Sequence, residues 1–137
     1  MPTNHVQPKA LHSVVLDGHS FSVELATTDA QRAHGLMDRT QLAANHGMLF
    51  VFAQQAQQTF WMKDTLIPLD ILYFDKDRKL VSMQLDVPPC KTTPCPVYPS
   101  GKPALYVLEL KAGTAVKIGA NTGDMLTIKG RIGNVQP

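Results

Sequence analysis

No apolar stretch in this sequence reaches the roughly 18 residues that a membrane-spanning helix requires. The opening residues, MPTNHVQPKA, are polar and lack the apolar centre of a signal peptide. They suit a native cytoplasmic start, and equally the start left after a leader is removed. Basic runs are missing as well. Lys and Arg are scattered through a chain of formal charge +2, and no basic run interleaves with aromatics. That disfavours a nucleic-acid partner, because phosphate binding needs clustered positive charge. Charge of either sign is scarce, at 18% of residues against about 25% in an ordinary domain. No serine occupies a G-x-S-x-G elbow, and no glycine-rich phosphate loop is present. His5, His12, His19, His34 and His46 are dispersed, and no pair has ligand spacing with an acid. Neither a metal nor a cofactor is expected.

What remains is the make-up of one ordinary domain. A chain of 137 residues, 44% of them hydrophobic, buries roughly two-thirds of its unfolded surface. A core therefore forms without metal or many crosslinks. Ten prolines and nine glycines suit many short strands joined by turns better than a helical bundle.

The pattern along the chain agrees. Residues 1–10 read as a flexible lead-in. In LHSVVLDGHSFSVELA, Asp17-Gly18 supplies the positive φ values of a two-residue hairpin turn. Phe21, Val23 and Leu25 alternate with Ser20, Ser22 and Glu24, the period of a half-buried strand. Thr28 and Gln31 have capping-box spacing, Asp29 suits a helix start, and Gly35 is a natural stop. A short helix over residues 29–34 follows, then a turn or second short helix over 37–45. GMLFVF reads as a strand, AQQAQQ as a polar loop, and TFWMK as a strand again. Residues 69–75 and 80–87 read as partner strands around a charged turn at 76–79. The proline-rich stretch at 88–103 is expected to run outside the sheets, since proline cannot donate to a ladder. Residues 104–111 are a strand, 113–119 one helical turn, 121–124 a turn, and 125–129 the last strand. The expected fold is mainly β: sandwich-like or an open barrel of about seven strands, with one or two short helices. One domain spans residues 11–131, followed by a tail at 132–137.

RAHGLMDR, GMLFVF, FWMKDTLIPLDILYFD, the proline-flanked Cys90, Tyr98, YVLELKAG and the Gly123-Asp124 turn occur in that order. Together they resemble the family called domain of unknown function 192, over nearly the whole domain. Where that family usually has Asn after the Lys of its FWMK block, this chain has Asp64. The resemblance implies a mainly-β single domain and an envelope or exported location. It implies no activity, substrate or cofactor.

Candidate residues are polar groups in apolar surroundings. Asp70 interrupts LIPLDILYF, on the strand face of Leu72 and Phe74. A buried carboxylate is costly unless paired or hydrogen-bonded. Asp70 is therefore either a ligand anchor and proton shuttle or a structural acid accepting backbone N–H groups. Glu109 interrupts LYVLEL and shares a face with Val107, as a buried acid or a rim residue. Trp61 and Lys63 point to one side of their strand, with Phe60 and Met62 on the other. They form a flat wall with a cation, or a half-buried pair with Lys63 bound to a nearby acid. Asp64 is a partner for Arg39 or Lys63. Arg32, His34 and Arg39 suit a helix surface, with Arg39 alternatively reaching an anionic ligand or Asp70. Met37, Met48 and Met62 carry soft thioethers, but each lies in an apolar run and fits core filling better. Cys90 and Cys95, spaced C-x4-C, fit a stapled loop better than a zinc or thioredoxin-type site.

Three functional expectations follow. The first is a non-enzymatic envelope domain that binds a small polar ligand or a protein partner. Its cleft is walled by Trp61 and Lys63, with Asp64, Asp70, Arg39 and Glu109 as polar contacts. The second is a hydrolase using Asp70 and Glu109 as an acid/base pair. The third is a metal or redox protein centred on Cys90 and Cys95.

Overall fold

The computed structural model describes residues 12–137, so the expected lead-in at 1–10 lies outside the described residues. The chain runs β1 (His12–Leu16), β2 (His19–Ala26), α1 (Asp29–His34), β3 (His46–Trp61), β4 (Leu69–Phe74) and β5 (Leu80–Val87). It continues through β6 (Val97–Lys111), α2 (Thr114–Ile118) and β7 (Thr127–Lys129). All seven strands belong to one mixed sheet in the order β5-β4-β6-β3-β2-β1-β7. The β1–β2 hairpin turns on Asp17 and Gly18, whose φ values of 49° and 76° are the positive pair the Asp-Gly signal implies. β2 and β3 are parallel, and α1 lies on the crossover between them.

The sheet curls until its two edges touch at one corner without closing. Lys79, just before β5, bridges Met125, just before β7. Around it the Leu80 N–H donates to the Asp124 carbonyl and the Leu126 N–H to the Arg78 carbonyl, each at 2.8 Å. The curl explains why both faces are apolar. The inner face gathers Val14, Phe21, Leu49, Leu72, Leu80 and Leu108 from six strands. The outer face gathers Phe50, Ile71, Tyr73 and Val107, covered by Leu36, Leu42 and Met62 from the connecting segments. This is why every residue of β4 is buried rather than every second one. α1 is closed at its start by a reciprocal capping box between Thr28 and Gln31. Ile132 and Val135 of the final segment pack against the inner cluster.

Two expectations need correcting. AQQAQQ is not a loop: β3 runs unbroken through it. Its glutamines are mostly exposed because this half of β3 projects past the core and pairs only with the start of β6. Nor does the proline-rich segment stay outside the sheet, since Pro99 and Pro103 lie in β6, opposite Thr59 and Gln57. β4 pairs with β6 only from Tyr106 to Lys111. The first half of β6 therefore has no strand paired on that side, where the Tyr73, Ser82 and Gln84 side chains donate to the Tyr98, Ser100 and Pro99 carbonyls, and its ladder shifts register between Gln57 and Thr59. Edges and bulges are where a strand tolerates proline.

Candidate functional site

α1 sits against the outer face of the sheet, beside the point where β3 leaves the core. Gly35, which ends the helix, makes this approach possible. A Cβ there would come within 3.3 Å of the Phe50 ring, and its φ of 52° lies in the region that favours glycine. Between α1, β3 and β6 lies a cavity of about 260 Å³. Phe50, Phe52, Phe60 and Trp61 line it, and Phe60 meets both Phe50 and Phe52 edge-on.

Glu109 lies in the wall of this cavity. It is 4% exposed. No described residue hydrogen-bonds to its carboxyl, whose oxygens are not sealed into the core. Burial, with no compensating charge, pushes its pKa up to about 8. Glu109 therefore stays protonated at neutral pH unless a cation meets it.

Arg32, expected as a helix-surface residue, is instead a buried clamp whose side chain is 9% exposed. One guanidinium nitrogen donates to the carbonyls of Thr27 and Val51, each at 2.9 Å. The other reaches Asp29 at 2.9 Å and the Gln136 carbonyl at 2.6 Å. The guanidinium also lies over the Phe52 ring, 5.4 Å from its centre. Its charge is near the cavity, but four of its five N–H donors are spent on the fold.

Trp61 ends β3 and is 46% exposed, opposite the still more open Val97. Phe60 and Met62 point into the outer cluster, as their alternation implies. The Lys63 ammonium lies over the indole, 5.2 Å from the ring centre. Trp61 forms a wall of the first cavity and also of a second, about 340 Å³, lined by Lys63, Asp64, Cys90 and Cys95. The two cysteines are joined in a disulfide, closing the loop that faces Lys63.

The remaining candidates lie elsewhere. Arg39 does not reach Asp70, Asp64 or a cleft. It grips Glu24 with both nitrogens, at 2.9 and 2.6 Å, while His46 meets the same carboxylate at 2.8 Å. These partners hold the Glu24 pKa down to about 2, Arg39 most strongly. Asp70 points to the inner face and is filled by two backbone donors, the N–H groups of Asp86 and Ala115, each at 2.9 Å. It is the structural acid, and the anchoring and shuttling role falls away. In the β4–β6 ladder Ile71 stands opposite Glu109 and Asp70 opposite Leu110. Asp70 and Glu109 therefore face opposite sides of the sheet and share no cleft, which removes the acid/base pairing expected for a hydrolase. Among the described residues no three His, Cys, Asp or Glu side chains converge as a metal site would need. No described helix is long and apolar enough to cross a membrane.

The structure thus gathers Trp61, Lys63, Asp64 and Glu109 around one exposed indole and leaves Asp70 and Arg39 outside. Sequence reasoning missed Phe52, the clamp role of Arg32 and the Glu24–His46 contact. The last depends on register between distant segments: His46 opens β3 opposite Ser22, two residues before Glu24 on β2.

Comparison with known proteins bears on this arrangement. The sequence profile described as "Uncharacterized ACR", domain of unknown function 192, matches residues 12–128. A protein of unknown function from Novosphingobium aromaticivorans DSM 12444 superposes with a TM-score of 0.81 at 34% identity, covering 92% of this chain and 91% of its own. A candidate transcription regulator from Sinorhizobium meliloti 1021 superposes with a TM-score of 0.77 at 35% identity, covering 88% and 96%. No curated protein matches the chain.

Proposed function

Because the chain belongs to the domain of unknown function 192 family, whose description names no activity, we propose from the site itself that it is a non-enzymatic cell-envelope domain that binds a small polar ligand beside Trp61 and Lys63. The observation that carries this reading is the position of Trp61. A large indole left 46% exposed stands between two concavities, with an ammonium held over its ring. Binding sites combine such apolar walls with a few placed polar groups. Here the polar groups are Glu109 on one side of the indole and Lys63 and Asp64 on the other. The disulfide supports the envelope setting, because such bonds persist in oxidising compartments. A protein partner would use the same exposed indole.

The test is a fragment screen read by the indole N–H resonance of Trp61, the single tryptophan of the chain. Small polar compounds are expected to shift that resonance and, measured by calorimetry, to lose affinity in Trp61→Ala. A screen in which no compound moves the signal removes the reading.

A further inference from the structure

Resting on the reading of the Trp61 cleft as a binding site, we infer that the cavity between α1, β3 and β6 takes a small organic cation, an amine or quaternary ammonium, with Glu109 as its counter-charge. Two independent features of the cavity carry this. The first is its wall. Phe50, Phe52, Phe60 and Trp61 line a space of about 260 Å³, and aromatic walls are the common means of holding an alkylammonium group. The rings of this region already attract cations: the Lys63 ammonium lies over Trp61 and the Arg32 guanidinium over Phe52.

The second feature is Glu109 itself. A glutamate that is 4% exposed, its carboxyl without a hydrogen-bond partner among the described residues and facing an aromatic space, is a costly residue to keep for packing alone. Asp70, on the neighbouring strand, shows how this fold treats a structural acid: both its oxygens are occupied. Glu109 has been left open on the cavity side. An ammonium ion there would supply the missing partner and be stabilised by the carboxylate and the rings together.

The charges around the cavity argue against an anion. Arg32 is the cation nearest to hand, and four of its five N–H donors are committed to Thr27, Val51, Gln136 and Asp29. Lys63 borders the second cavity and not this one. The other ionisable groups facing the space or Glu109 are Asp29 and His34 on α1, and Tyr73 on β4. The Tyr73 hydroxyl donates to the Tyr98 carbonyl, and its pKa is raised by burial and by the charge of Glu109.

Cation binding requires the ionised carboxylate, so the bound ion displaces the Glu109 proton. With that proton leaving at about pH 8 in the free protein, apparent affinity rises about tenfold between pH 7 and pH 9 and then levels off.

The experiment titrates the protein with choline and with 3,3-dimethylbutan-1-ol, its uncharged isostere, by calorimetry and by the Trp61 indole resonance. Choline is expected to bind at least tenfold more tightly than the alcohol, and Glu109→Gln to abolish that difference and the pH dependence. His34→Asn is expected to keep both, which separates the imidazole from the carboxyl. Trp61→Leu, at an exposed position that tolerates change, is expected to weaken choline binding without loss of fold. Equal binding of choline and the alcohol, or a choline preference that survives in Glu109→Gln, overturns the cation assignment. If neutral or anionic fragments move Trp61 while choline does not, the cation assignment falls and the cleft reading stands. If no compound moves Trp61, both fall.

Discussion

Asp70 and Glu109 lie one residue out of register on paired strands, and that offset sends their carboxyls to opposite faces of the sheet. The same chemical group meets two environments a few ångströms of backbone apart. On the inner face Asp70 receives two N–H groups at 2.9 Å. On the outer face Glu109 meets aromatic rings and a cavity. One acid holds the fold together, and the other is held open by it.

Asp70→Ala is expected to lower stability by about 3 kcal/mol, because it leaves the buried Ala115 N–H and the part-buried Asp86 N–H without an acceptor. Asp70→Asn retains one acceptor oxygen and should lose about half as much. Urea denaturation measures both. Because Asp70 touches no cleft, the Trp61 indole resonance should not move in either variant. A stability loss below about 0.5 kcal/mol for the alanine would show that β5 and α2 are held by other means.

Glu109 predicts the reverse behaviour. Its carboxyl ionises at an ordinary 4.5 when unfolded and at about 8 when folded. Between those values the native state binds more protons than the unfolded chain, so stability falls as pH rises across that window. The slope from this one group reaches about 1.4 kcal/mol per pH unit. Glu109→Gln removes it. The variant should match the parent near pH 4 and exceed it at pH 8, read from urea midpoints. Parallel curves for the two proteins would mean that Glu109 ionises normally in the fold.

Much of this fold was legible in the residues, for identifiable reasons. Asp17-Gly18, the Thr28–Gln31 cap and the glycines around α2 are local signals, and local physics decided them. The AQQAQQ segment misled because polarity reports exposure, and an exposed strand is as polar as a loop. Pro99 and Pro103 misled because their tolerance depends on where β4 stops pairing, which no local rule reveals. At the site, Trp61, Lys63 and Glu109 stood out as odd residues for their surroundings. That Asp70 and Glu109 would diverge was a question of register between distant strands, and so was the capture of Arg39 by Glu24.

Gly47 allows β3 and β6 to approach behind the cavity. A Cβ there would lie 2.5 Å from the Glu109 carbonyl oxygen and 2.7 Å from the Leu110 side chain. Backbone cannot yield as a flexible side chain does, so Gly47→Ala should cost about 2–3 kcal/mol as an overpacking change. It should also disturb the backbone that carries Glu109. Amide shifts of Met48 and Glu109 would report the displacement. An alanine variant of parental stability with unmoved amides would contradict the close approach.

Glu24 sets the acid limit. Arg39 and then His46 hold its pKa down to about 2 against an ordinary 4.5. A depressed carboxylate pKa contributes stability above the unfolded value and loses it as pH falls toward the folded one. The parent should therefore weaken between pH 4.5 and pH 2, and Arg39→Met should flatten that limb. More than a third of each partner's side chain is exposed, so solvent screening limits the effect to about 1 kcal/mol. Far-ultraviolet circular dichroism through acid titration provides the measurement. An unchanged acid limb in Arg39→Met would assign the acid sensitivity elsewhere.

The Cys90–Cys95 disulfide gives the last prediction, and it separates the two sides of Trp61. The bond closes a loop whose cysteines are five positions apart, and in the chain-entropy account so short a closure stabilises by about 2 kcal/mol. Protein from an oxidising medium should show no reactive thiol, and the double variant Cys90→Ser, Cys95→Ser should lose about that stability. The two cysteines border the Lys63 cavity and not the Glu109 cavity. The double variant should therefore shift the Trp61 indole resonance while leaving the stability slope between pH 4.5 and pH 8 intact, since that slope belongs to Glu109. A loss of the slope together with the disulfide would show that the two cavities form one cooperative unit. The indole would then join them as a single site.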